Sequence, residues 1–166
     1  PYRRQRQMCI RDSINALSQM GRTEDVRMVT ISLAQLMKNK MSDSCFTTVD
    51  GEMGCVKAFL QIYKIMQADG LHYSIQVDPA CGQLQIPSLI VQPIVENAIC
   101  HGMEFMDETG LITIDAAIQD GDLVIAVKDN GLGMTEEQGN DLIRRIFKKY
   151  EHTLDNPKLG QPFNEV

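Results

Sequence analysis

The chain has 166 residues, 43% of them hydrophobic, and a formal net charge of −6. That length suits one domain, or one domain with a short helical appendage, and the hydrophobic fraction is enough for a real core. The acidic balance argues against a nucleic-acid partner, because phosphate backbones call for a basic surface, but it leaves room for a nucleotide held by backbone amides and a metal.

The first stretch, PYRRQRQMCIRDS, is basic in an acidic chain and has neither helical nor strand period. Residues 1–12 resemble a translated sequencing adapter and are set aside from fold reasoning. The other reading is a genuine basic arm. From Ile14 to Met41, apolar residues at Ile14, Leu17, Met20, Val26, Val29, Leu33, Leu36 and Met37 keep helical spacing. Gly21 and Thr23, with Glu24 and Asp25, mark a turn and a new start, so two helices or one broken helix is expected.

FTTV (46–49) reads as a strand, after which Asp50 can cap a helix from Gly51 to about Ala68. Its buried face is Val56, Phe59, Leu60, Ile62, Tyr63 and Met66, and Gly70 follows its end. LHYSIQVD (71–78) alternates as a half-buried strand does. PACG turns the chain, and QLQIP (83–87) is briefly extended. A helix is expected from about Ser88 to Met103. GLITIDAAIQ and DLVIAVKD are strands joined by the hairpin turn Asp120–Gly121. TEEQGNDLIRRIFKKY (135–150) reads as a helix with Thr135 as N-cap, and the polar tail beyond it as loop. Helices alternate with antiparallel hairpins, so the fold class is α/β, a two-layer sandwich with helices over one face of a sheet.

Cys9, Cys45, Cys55, Cys81 and Cys100 are odd in number and form no CxxC pair. A reducing compartment is expected rather than a disulfide framework or a zinc site. The sequence holds no run of about 18 apolar residues and no signal peptide. A membrane segment upstream stays open, since the coding region need not begin at residue 1.

Two motifs carry chemistry. In VQPIVENAICHG (91–102), Ile90, Ile94, Val95, Ala98 and Ile99 can face the sheet. Pro93, Asn97 and His101 form a second stripe, and Glu96 lies between Gln92 and Cys100 on a third. Pro93 is expected to kink the first turn. On periodicity alone this is a core helix whose polar face meets water. In VKDNGLGM (127–134), Asp129 can accept from an exocyclic amine. Gly131 and Gly133 permit close approach of a flat ligand and positive φ. Alone, it reads as a loop closing a strand. An EF-hand reading fails because its third position would be Gly131.

Together, IVQPIVENAICHG and DNGLGM about thirty residues later, with a hairpin between, resemble the ATP site of the gyrase, heat-shock ATPase, histidine kinase and mismatch-repair superfamily. The wording is closer still to sensor histidine kinases related to autolysin regulation. The resemblance extends through SINALSQMGRTEDVRMVTISLAQLMKNKM, AFLQIYKI, LHYSIQVD and QIPSLIVQP, and covers roughly residues 13 to 146. It implies a histidine-kinase-type ATP-binding domain over 46–150. A partial helical dimerisation and phosphoacceptor segment would span 13–45, and a partial ATP lid 151–166. It implies ATP and Mg2+ as cofactors, with Asn97 ligating the ion between phosphates and Glu96 positioning water or polarising the phosphoacceptor. Asp129 would take the adenine amino group, Gly131 and Gly133 would shape the pocket floor, and His101 and Met134 would join the nucleotide contacts. Magnesium suits such a site, since it prefers substrate phosphates plus one or two protein oxygens. The implied activity is autophosphorylation on histidine and transfer to a response-regulator aspartate. The implied setting is a homodimeric parent protein anchored in the bacterial membrane by segments not present here, with this domain cytoplasmic.

Three departures stand out. Cys100 occupies the place where many histidine kinases carry a phosphate-contacting lysine, for which Lys148 and Lys149 are weak substitutes. No histidine among His72, His101 and His152 has the family's Pro-His-Phe context. The glycine-rich lid box is not in this stretch. The chain alone is therefore expected to be inactive as a kinase. Two other readings compete: an ATPase or serine kinase of the same superfamily, and a non-catalytic nucleotide-sensing or dimerisation module.

Overall fold

The computed structural model describes residues 14–40, 45–66, 70–99 and 109–148. A short helix over 14–19, α1, leads to Gly21, whose φ of 70° turns the chain into α2, Thr23–Lys40. The break expected at Gly21 is present, and only glycine adopts that backbone without steric cost. Glu24 and Asp25 fill the first turn of α2, where negative charge is favoured, and pair with Arg27 and Arg22. α2 packs on α3, and Leu17, Val29 and Leu36 join the main hydrophobic cluster.

β1, Phe46–Thr48, runs straight into α3, Val49–Met66. The helix starts two residues earlier than the sequence suggests, so Thr48 rather than Asp50 caps it. The Gly51 N–H donates to Thr48 Oγ1 at 3.0 Å. Asp50, already inside the first turn, instead accepts from Gln83 Nε2 at 2.8 Å. Val56, Phe59, Leu60 and Ile62 are buried as expected, whereas Tyr63 and Met66 are half-buried.

β2, Leu71–Val77, keeps the expected alternation. β3, Gln85–Pro87, pairs antiparallel with β1, placing Thr47 opposite Ile86. β4, Gly110–Gln119, and β5, Asp122–Asp129, form the expected hairpin. Asp120 and Gly121 at its tip have φ of 53° and 96°, the doubly left-handed turn that matches strand twist. The three-stranded sheet has the order β2-β4-β5. It is mixed, not built of antiparallel hairpins alone, because β2 runs parallel to β4 from Leu71↔Gly110 to Val77↔Ala116. Parallel neighbours need a crossover, and the connection from β2 to β4 carries α4, Gln92–Asn97.

Ile112, Ile114 and Ala116 project from β4 into the cluster formed with α3. Full burial contributes about 1.5–3 kcal/mol for each large aliphatic side chain. The layering is α/β, as expected. The last described element, α5, spans Glu136–Lys148. Thr135 caps it by a reciprocal box, Gln138 N–H to Thr135 Oγ1 at 3.3 Å and Thr135 N–H to Gln138 Oε1 at 2.8 Å. Its buried residues, Leu142 and Ile146, form a small separate cluster with Ile90 and Ile94. Among the described residues no helix is long and apolar enough to cross a membrane. No disulfide joins Cys45, Cys55 and Cys81.

Candidate functional site

α4 is only six residues long, and its N-cap, Val91, offers no side-chain cap. The unsatisfied N–H groups of a helix start need acceptors. Glu52 of α3 supplies them: Oε2 accepts from Leu89 N–H at 2.9 Å, and Oε1 from Val91 N–H at 2.9 Å and Gln92 N–H at 3.2 Å. Glu52 is 1% exposed. Its charge lies at the positive end of the α4 dipole, and charge-assisted bonds of this kind are the strong ones. Leu89, just before the helix, has φ of 61°, a conformation that costs a non-glycine residue about 1–3 kcal/mol.

Pro93 does not kink the helix. It falls in the first turn, where its missing N–H is no loss. Val95, Ala98 and Ile99 are buried as expected. Ile94 packs against Leu142 and Ile146 of α5 rather than the sheet. At Ala98 the backbone N–H is shared between the Ile94 and Val95 carbonyls, a three-centre bond usual at a helix end, and residues 98–99 continue as a π turn. Such turns mark functional sites often enough to be noted. Gln92 is buried, and its Nε2 donates to Glu96 Oε1 at 2.8 Å. Its own Oε1 is buried with no partner among the described residues.

The second motif closes β5. Asp129 Oδ1 accepts from the Gly131 N–H at 2.8 Å, a local turn that occupies one of the carboxylate's several lone pairs. Asn130 ties the loop to the start of β4: its Oδ1 accepts from Leu111 N–H at 2.7 Å and its Nδ2 donates to the Thr109 carbonyl at 3.1 Å. Gly133 has φ of 74°, and Gly131 is not in the left-handed region.

These two motifs face each other across a cleft of about 820 Å³. Asn97 and Ala98 of α4 line one side, and Asp129, Leu132, Gly133 and Met134 the mouth of β5. Gln138, Asp141, Arg144 and Arg145 come from α5. Volume and mixed lining suit a small-molecule site. Of the expected residues, Asn97, Asp129, Gly133 and Met134 come together. Glu96 is half-buried beside Gln92 and does not line the cleft, and neither does Gly131. His101 and Cys100 lie outside the described residues, as do Lys149 and His152.

Sequence reasoning missed Glu52, Gln92, Arg144 and Arg145. Glu52 had a signal, a carboxylate at helical spacing among Val49, Met53 and Val56. The arginines stand in place of the weak candidate Lys148, which is exposed and does not reach the cleft wall. Which face of α5 meets α4 is visible only once Leu142 and Ile146 are seated.

Residues 83–162 match the family model described as histidine kinase-, DNA gyrase B- and HSP90-like ATPase. The chain carries a histidine-kinase-type ATP-binding domain. It is 30% identical over 139 residues to the sensor protein LytS of Oceanobacillus iheyensis, covering 82% of this chain and 23% of that protein. It is 37% identical over 93 residues to the sensor histidine kinase BtsS of Escherichia coli K12, covering 56% of this chain and 17% of the relative. With the sensor histidine kinase YesM of Bacillus subtilis it shares 28% identity over 124 residues, 74% of this chain and 22% of the relative. The chain thus spans less than a quarter of the length of these curated relatives. ATP is the ligand that this ATPase family implies for the domain.

Proposed function

We propose that this chain is the nucleotide-binding catalytic part of a two-component sensor histidine kinase, which phosphorylates itself on histidine and passes the phosphoryl group to a response regulator. The observation that carries the reading is the single cleft shared by Asn97 and Asp129. Asp129 accepts the adenine amino group, while Leu132 and Met134 offer apolar surface to the base. Gly133 lets backbone approach the ligand closely. Arg144 and Arg145 supply positive charge toward the phosphates, the service a lysine at position 100 would otherwise give. Glu96, held by Gln92 just outside the cleft lining, positions water or polarises the phosphoacceptor.

The residues fit a magnesium ion. Asn97 offers an amide oxygen at the cleft, of the hard type that magnesium takes. Among the described residues no cluster of three or more His, Cys, Asp or Glu could hold an ion alone. An ion here would therefore draw most of its ligands from nucleotide phosphates and water. When bound, it neutralises phosphate charge. Homodimerisation through the helices that precede β1, a cytoplasmic position, and membrane anchoring by other segments belong to the same proposal.

The test is competition binding of ATP and GTP, followed by γ-labelled ATP with magnesium on the full-length protein. We expect a preference for ATP and an acid-labile phosphate. Equal affinity for the two nucleotides overturns the adenine assignment. Phosphate stable to acid points instead to serine-kinase chemistry; an unlabelled protein points to an ATPase if inorganic phosphate is released and to a nucleotide sensor if it is not.

A further inference from the structure

Resting on that reading of the cleft, we infer that Glu52 is a positioning residue, one that places Asn97 for the metal-phosphate end of the nucleotide without touching the nucleotide. Glu52 belongs to α3, does not line the cleft, and is 1% exposed. Both of its oxygens are spent on the entry to α4: Leu89 N–H on one, Val91 and Gln92 N–H on the other. No basic side chain pairs with it among the described residues. A buried carboxylate costs a great deal unless its charge is met by donors, and here the donors are the backbone of one short segment. That segment includes Leu89 at φ 61°, so the carboxylate holds a conformation the chain would not choose.

Displacement at this clamp has a defined consequence. From Gln92 to Asn97 there is one short rigid helix, about 7–8 Å along its axis at 1.5 Å per residue. A shift of its first turn carries directly to Asn97 in its last. Asp129 is held by different means. It sits on β5 opposite Ile112 of β4, and its neighbour Asn130 is tied to Thr109 and Leu111. Loss of the clamp therefore moves the metal end of the site and spares the adenine end.

Glu52→Gln separates the two ends. The amide is nearly isosteric but replaces one acceptor oxygen by a donor NH2, which must face either the Leu89 N–H or the Val91 and Gln92 N–H groups. The purified chain is titrated calorimetrically with ADP, once with magnesium and once with EDTA, alongside thermal unfolding. We expect Glu52→Gln to lower affinity about tenfold or more with magnesium and less than about twofold in EDTA, the scale on which supporting partners tune metal sites. Glu52→Asp keeps charge and acceptors but retracts them by one methylene. Measured in the same way, it should show the same split at smaller amplitude. Equal losses in both conditions, or unfolding of both variants, make Glu52 a stability residue only and overturn the inference. A wild-type chain that binds no ADP, or binds it without regard to magnesium, sinks the reading of the cleft instead.

Discussion

The two walls of the cleft are built by different physics. The α4 wall is held from behind. Val95 is fully buried, Gln92 nearly so, and the Glu52 carboxylate fixes the first turn from α3. The α5 wall is held by two side chains, Leu142 and Ile146, seated on Ile90 and Ile94, of which Ile90 alone also touches the main core. Its approach is open, with Leu132 72% exposed and Met134 46% exposed. One wall is preorganised and carries the group assigned to the metal. The other is loosely fastened and carries the arginines and the apolar surface for the base. Stability should therefore be concentrated in the first wall, and adaptation to the ligand in the second.

The sharpest way to break this contrast is to make the same kind of truncation in each region. Ile114→Ala, in the main core that also buries Val95 of the first wall, should cost about 3–4 kcal/mol in urea unfolding, whereas Leu142→Ala in the second should cost about 2 kcal/mol or less. The Leu142 variant should show its effect in weaker nucleotide binding. Comparable unfolding losses would mean that α5 belongs to the main core after all.

Next in size is Asn97→Ala, on the preorganised wall. Removing the amide oxygen should weaken ADP binding in magnesium about 100-fold, or about 2.7 kcal/mol. Binding in EDTA should hardly change. Unaltered magnesium dependence would show that Asn97 is not the ligand.

Much of the fold is legible in the sequence alone. The Asp120–Gly121 hairpin, the break at Gly21, the alternation of LHYSIQV and the Thr135 cap each follow from one local rule, and each is present. The cap of α3 was misread because Thr48 and Asp50 are both good caps, and the length of β1 decides between them. The parallel pairing of β2 with β4 was not visible because a strand's own pattern does not name its partner. The site divides likewise. Asn97 and Asp129 were readable as motif residues, while Glu52 acts through backbone N–H groups of a segment far away in sequence. Arg144 and Arg145 depend on how α5 is rotated, which the two apolar residues fix only once Ile90 and Ile94 are in place. Residues that work through non-local backbone contacts leave no periodic trace.

At the mouth of β5, between the two walls, Asp129→Asn should narrow the preference for ATP over GTP by about tenfold, or about 1.4 kcal/mol. An amide can turn its NH2 toward the guanine carbonyl, which a carboxylate would repel. Competition binding reads this directly. An unchanged preference would place the base elsewhere in the cleft.

The smallest expected effect is at Thr135, and it tests whether the α5 wall is a local unit. Its hydroxyl accepts the Gln138 N–H, and Gln138 Oε1 returns the bond to the Thr135 N–H. Thr135→Ala leaves one N–H of the first turn without its side-chain partner and removes half of the reciprocal box, a change worth about 1 kcal/mol. Thr135 is exposed, so water can take over part of that role. If α5 opens independently of the sheet, the cost appears as faster amide exchange confined to α5, with the urea midpoint of the β-sheet core unmoved. The nucleotide should then restore protection, because Gln138 and Arg145 line the cleft and binding favours the closed helix. If exchange instead rises equally in α4 and α5, the two walls unfold together, and the division between a preorganised and an adaptable side fails.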